Sequence, residues 1–167
     1  MQLEHEYARA GARTLFAAFN TRTGQVIGAC FARKRQVEFI ALLERLSDQF
    51  DPSITTIHLI CDNVSVHRGK LVQAWLAKHP RFVLHFTPVH CSWMNQVEQW
   101  FSILRRKRLK CPNFADLPAL TERIEQFIAE WNKTAQPFHW KEASFAKVLA
   151  KARADLDQAD PQRAAAA

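Results

Sequence analysis

The sequence predicts one α/β domain, and three observations predict it. Four short apolar runs, TLFAAFN, QVIGACF, TTIHLICD and FVLHFTP, are bounded by turn-forming residues, as strands are. Longer segments between and after them carry apolar residues at helical spacing. From the third run onward strand and helix alternate, the pattern of a sheet with crossover helices. A chain of 167 residues is most simply a single domain. Its 48% hydrophobic content, with 12 Phe, is enough to bury a core and excludes a disordered chain.

Taken in order, Thr14–Asn20 and Gln25–Phe31 flank the turn TRTG and read as a β-hairpin. Val37–Phe50 follows as a helix, with Val37, Ile40, Leu43 and Leu46 on its apolar face and Phe39 and Leu42 beside them. Asp51-Pro52 ends it. Thr55–Asp62 is too short for a helix, and its near-continuous apolarity predicts a strand buried on both faces. Lys70–Pro80 is a short helix stopped by its proline, and Phe82–Pro88 is a fourth strand. Ser92–Lys110 reads as a helix with Ser92 as N-cap. Asp116 and Pro118 start the next, over Leu117–Asn132. Ser144–Leu156 is a last amphipathic helix. The order β-β-α-β-α-β-α-α-α fills a domain over 1–155, and the polar, alanine-ending stretch 156–167 reads as a disordered tail.

Composition narrows the function classes. The formal charge of +7 and pI near 9.6 favour a polyanionic partner, most often nucleic acid. Cys30, Cys61, Cys91 and Cys111 are all at least twenty positions apart, so no zinc-ribbon or redox spacing exists. They read as reduced thiols of a cytoplasmic protein. The start MQLEHEYARAGART is charged and lacks an apolar signal region. No apolar stretch approaches the ~20 residues that span a bilayer, so no membrane role is expected.

Two acids stand out by position. Asp62 ends the third strand, at the sheet edge where open α/β folds bind ligands. The alternative is a turn or helix-capping aspartate in DNVS. Glu98 lies beside the apolar face Trp93, Val97, Trp100/Phe101, Leu104, with Asn95 and Ser102 on its own side. A solvent-facing glutamate is the alternative there. As a pair, two carboxylates on neighbouring elements can hold a hard divalent cation through oxygen ligands. Two such ions support phosphodiester displacement, in sites normally built from three acids, of which two are evident here.

At these residues the sequence resembles a known family. ICDN with His67, followed by HFTPVHCSWMNQVEQWFSILRR, is similar to the bacterial insertion-sequence branch of the mariner-like transposases. These are DDE superfamily endonucleases with a ribonuclease H-like (integrase/transposase core) catalytic domain. The family's second acid ends a strand as D-N-x(3)-H, matched by Asp62, Asn63 and His67. Its third lies in N-x-[IV]-E-x-[WF] after a TP…SWLN-like segment. Thr87, Pro88, Ser92, Trp93, Met94, Asn95, Val97, Glu98 and Trp100 match that pattern. Thirty-five residues lie between Asp62 and Glu98, close to the spacing the family shows. The front segment HEYARAGARTLFAAFNTRTGQVIG resembles the family's second and third strands, so the likeness runs over roughly 4–150.

The resemblance implies that Asp62 and Glu98 are catalytic and metal-binding, that Mg²⁺ or Mn²⁺ is the cofactor, and that the partner is DNA at transposon ends. It implies a nucleoid-associated protein. The family's first acid sits on a central strand upstream of HEY, between the second strand and the one carrying Asp62. The expectation is a sheet lacking that strand, a first acid outside this chain, and no helix-turn-helix region. The missing half or a second copy then becomes a partner. A frameshifted gene, a decayed copy and a late start codon are equally compatible origins.

RRKRLK continues the helix of Glu98 with Arg105, Arg106, Lys107, Arg108 and Lys110, cations placed to hold DNA phosphates or to form a solvated basic face. Asn63, His67, Arg68 and Asn95 complete the DNA-side candidates. His67 and Arg68 also fit a surface loop. Trp93 and Trp100 suit base stacking or, at helical spacing, core packing. His139 and Trp140 read as packing.

Overall fold

The computed structural model describes residues 11–88, 95–110 and 114–139, together with Ala146, Leu149, Ala150 and Ala154. In chain order the elements are β1 (Thr14–Phe19), β2 (Val26–Phe31), α1 (Gln36–Gln49), β3 (Ile57–Cys61), a 3₁₀ turn (Ser65–His67), α2 (Lys70–Lys78), β4 (Phe82–Phe86), α3 (Gln96–Leu104), a π-helical turn (Arg105–Leu109) and α4 (Leu117–Lys133). This is the mixed α/β class expected from the sequence. The predicted last helix lies outside the described residues except for the four isolated positions, which are helical.

β1 and β2 form the antiparallel hairpin, with Thr14 opposite Phe31 and Phe19 opposite Val26. Asn20 shapes the turn: its Oδ1 accepts from the N–H groups of Arg22 (2.9 Å) and Thr23 (3.2 Å). Gly24 closes it at φ 76°, and a Cβ there would stand 2.1 Å from the main-chain carbon of Gln136. Only glycine fits such a place. α4 fastens the hairpin from outside. The Asn132 amide accepts from the Val26 N–H and donates to its carbonyl, both at 2.8 Å, and Trp131 Nε1 donates to the Gly24 carbonyl at 2.8 Å.

Strand alternation gives this hairpin two apolar faces. Phe16, Ala18, Ile27 and Phe31 join the core built on α1, where Phe39, Leu42, Leu43 and Leu46 are buried. Val37, expected on that face, is 48% exposed, because the buried stripe centres one position further round, on Phe39 and Leu43. Leu15, Ala17, Phe19, Val26 and Cys30 face the second core, made by Trp100 and Leu104 of α3 and Ile124 and Phe127 of α4. Trp100 is fully buried there, which settles its role as packing. Phe138 stacks on Phe19 with ring centroids 4.6 Å apart, whereas His139 is exposed, so the packing expected of His139 falls to its neighbour. Trp140 lies outside the described residues.

β3 and β4 are parallel, with Ile57 opposite Phe82 and Cys61 opposite Phe86, and α2 makes the crossover. Ile57, Cys61 and Phe82 pack into the α1 core with Val72 and Trp75 of α2. The opposite face, carrying His58, Ile60, Val83 and His85, is exposed, with Ile60 at 57%. The burial of β3 on both faces that its apolarity predicts is therefore not found. Among the described residues α1 and α2 cover one face only, and no element lies on the other. Within the same residues β1 pairs only with β2, and β3 only with β4.

α3 opens at Gln96 with Asn95 as N-cap, its side chain accepting from the Val97 N–H at 3.3 Å. The predicted cap, Ser92, lies outside the described residues. The helix does not run uniformly to Lys110. It widens into the π turn at Arg105, where like charges three and four apart (Arg105 with Arg108, Arg106 with Lys110) disfavour the α spacing. Cys30 and Cys61 are free thiols, and burial first, then Asp62, pushes Cys61 up to about 12. No helix among the described residues is long and apolar enough to cross a membrane.

Candidate functional site

β3 delivers Asp62 immediately past its carboxyl end, and the 3₁₀ turn folds His67 back onto it. His67 Nδ1 lies 3.2 Å from the Asp62 main-chain carbonyl and 2.9 Å from its Oδ1. Both partners can only accept, so Nδ1 carries the proton. That proton is directed at the carbonyl, which leaves the buried Oδ1 within ion-pair distance yet without a hydrogen bond of its own. The His67 ring is wedged against Phe39, centroids 4.3 Å apart, and its side chain is 12% exposed. Burial is the largest influence and pushes the imidazole below its ordinary value, outweighing the pull of Asp62. His67 is therefore neutral at pH 7. Asp62 is neither a turn-closing nor a capping residue, since the 3₁₀ turn is capped by Val64.

Asn63 and Arg68 tie the two strand ends together. The Asn63 amide donates to the Thr87 carbonyl beyond β4, and its Oδ1 accepts from the Arg68 guanidinium. Arg68 lies over the Phe86 ring, 4.1 Å from its centroid. The Thr87 N–H in turn donates to the Cys61 carbonyl at 2.9 Å. Arg68 is thus an exposed cation held in one orientation by Asn63 and Phe86.

Glu98 reaches the same place from α3. The Asn95 amide donates to the Ile60 carbonyl at 3.2 Å. In the parallel register the odd residues of β3 bond to β4, so the Ile60 carbonyl belongs to the strand's open edge. One residue therefore caps α3 and pins it to the strand that ends at Asp62. Burial first, then the negative charge of Asp62, raises the Glu98 pKa above its ordinary value, and Lys34 offsets this. Glu98 is exposed as a residue, so solvent screening keeps that effect small in free energy. The Asp62 charge is thus felt at Glu98.

Two neighbouring carboxylates suit a hard divalent cation, which takes carboxylate oxygens as ligands. The chemistry of the donor set therefore fits Mg²⁺ or Mn²⁺. Among the described residues no group of three or more His, Cys, Asp or Glu is arranged to hold a metal ion.

The basic run divides. Arg105, Arg106, Lys107 and Lys110 are exposed and make no ion pair among the described residues. Arg108 instead turns to α4, 2.6 Å from Glu130 Oε2 and 5.3 Å over the Phe127 ring. Arg105 follows Glu98 by seven residues, about two helical turns, and so shares its side of the helix. Sequence reasoning passed over Lys34. It sits between β2 and α1, and its charge acts on both Glu98 and His67. The signal was available in the cluster RKR directly after a strand.

A family model described as DDE superfamily endonuclease matches residues 2–121 of this sequence. The chain belongs to the DDE superfamily endonucleases. It is also similar to the uncharacterized 39 kDa protein of insertion element IS630 from Shigella sonnei, 29% identical over 134 residues. That stretch covers 80% of this chain and 38% of the relative, so the chain spans well under half of that protein's length. The DDE match takes in Asp62, Glu98 and the whole basic run, and ends within α4.

Proposed function

We propose that this chain is part of a DNA transposase catalytic domain, with Asp62 and Glu98 as two of its catalytic, cation-holding acids. The observation that carries this is their approach from β3 and α3, with Asp62 Oδ1 buried beside His67 and the Asp62 charge felt at Glu98. His67 fixes the strand end that presents Asp62, and Asn95 fixes the helix that presents Glu98. Arg105, Arg106, Lys107 and Lys110 hold strand phosphates alongside, and Arg68, Asn63 and His67 border the site on the DNA side. A hard divalent ion, Mg²⁺ or Mn²⁺, supplies charge neutralisation for phosphodiester displacement when bound.

The family resemblance supports a ribonuclease H-like core in which a further strand runs between β1 and β3 and brings the family's first acid. Among the described residues β1 pairs only with β2 and β3 only with β4, which supports the same reading. On it, the remainder of the transposase or a second copy completes the site, and transposon-end DNA is the substrate. The test is nicking of transposon-end DNA with Mg²⁺ or Mn²⁺ by a form extended upstream to include the family's first acid. Glu98→Gln should abolish nicking, and undiminished nicking by that variant would sink the assignment.

The exposed basic turn favours a second reading, a non-catalytic DNA-binding or transposase-interacting fragment. Neutralising Arg105, Arg106 and Lys107 should then weaken binding far more than Asp62→Asn does.

A further inference from the structure

The exposed face of β3 and β4 carries two histidines that the carboxylate site does not use. His58 stands opposite Val83 and His85 opposite Ile60, so the histidines are diagonal neighbours across the strand pair. His58 Nδ1 and His85 Nε2 are 2.9 Å apart, with ring centroids separated by 5.1 Å. Both residues are exposed, and neither side chain makes another hydrogen bond among the described residues. One ring donates to the other, so a single proton sits between two imidazole nitrogens.

We infer that His58 and His85 form a two-nitrogen site for a divalent transition ion of the nickel, copper or zinc type. Imidazole suits these ions, and they displace the bridging proton. Nitrogens about 2.05 Å from an ion at a tetrahedral angle stand about 3.3 Å apart. Opening the pair from 2.9 Å to that separation needs only a small swing of two solvent-facing rings. Ile60 and Val83 between them offer no competing donor, and water fills the remaining coordination positions. The site differs in ligand chemistry from the Asp62/Glu98 pair, because Mg²⁺ prefers oxygen ligands and leaves imidazole alone. A bound ion cross-links β3 to β4 four residues before Asp62.

The test is calorimetric titration of the full chain with Ni²⁺ in excess Mg²⁺, paired with thermal melting. One equivalent of Ni²⁺ should bind and raise the melting temperature. His58→Gln and His85→Gln should each weaken binding at least tenfold and remove the rise, while Glu98→Gln leaves both unchanged. Both histidines are exposed, and either variant alone suffices if the other melts early. Unchanged binding in both histidine variants, loss of binding in Glu98→Gln, or no binding by the parent chain would overturn the inference.

Discussion

The amide of Asn95 donates to the carbonyl of Ile60 at 3.2 Å while its oxygen caps α3. A single side chain thereby sets the helix of Glu98 against the strand of Asp62. The two functions of Asn95 separate by substitution. Asn95→Ser keeps an N-cap oxygen and loses the donor to Ile60, so urea unfolding should change by less than about 0.5 kcal/mol. Asn95→Ala loses both and should cost about 1–2 kcal/mol. Both should weaken Mn²⁺ binding, which isolates the positioning role from the cap.

The buried His67 makes stability depend on pH. Its folded pKa lies below the ordinary 6.5, chiefly through burial, so the unfolded chain binds a proton first as pH falls. Stability is therefore fully present above about 6.5 and declines as pH drops from there toward the folded value. Melting of His67→Gln should show a flatter profile between pH 7 and 5 than the parent. An unchanged slope would mean that His67 titrates freely.

The cations of the π turn should divide into two groups. Arg105→Gln, Arg106→Gln and Lys107→Gln together should leave melting unchanged. They should also flatten the salt dependence of DNA binding, with the log–log slope falling by up to ~0.9 for each phosphate that is no longer neutralised. Arg108→Gln should lower stability instead, since it breaks the interactions with Glu130 and Phe127. Filter binding across a salt series and thermal melts read the two effects separately.

The hairpin anchor is the structural control. Asn132→Ala leaves the Val26 N–H and carbonyl without their side-chain partners and should cost about 2 kcal/mol. Trp100→Ala, at a fully buried site, should cost about 3–5 kcal/mol. Neither residue touches the acids, so Mn²⁺ affinity of the folded fraction should hold.

Most of the scaffold was legible because local signals and tertiary packing agree. The turn TRTG, the prolines after α1 and α2, and the Asp116 cap each sit where the structure ends or starts an element. The placement of Asp62 just past β3 and of Glu98 on α3 was legible through strand-end position and helical spacing. The misreadings come from information that periodicity does not hold. Apolarity placed Ile60 inside, but which face of a strand is covered depends on where distant helices pack. No periodicity announces that the Asn95 amide engages β3, an element 35 positions earlier in the chain. Arg108 looked equivalent to its neighbours, and only the approach of α4 distinguishes it.

The most direct measurement is Mn²⁺ binding followed by electron paramagnetic resonance for the parent chain, Asp62→Asn and Glu98→Gln, with Glu125→Gln as control. If the two acids form one cation site, each of the first two substitutions weakens binding at least tenfold and the control does not. Equal binding by all four proteins, or a loss confined to one acid, would contradict the pairing of Asp62 with Glu98.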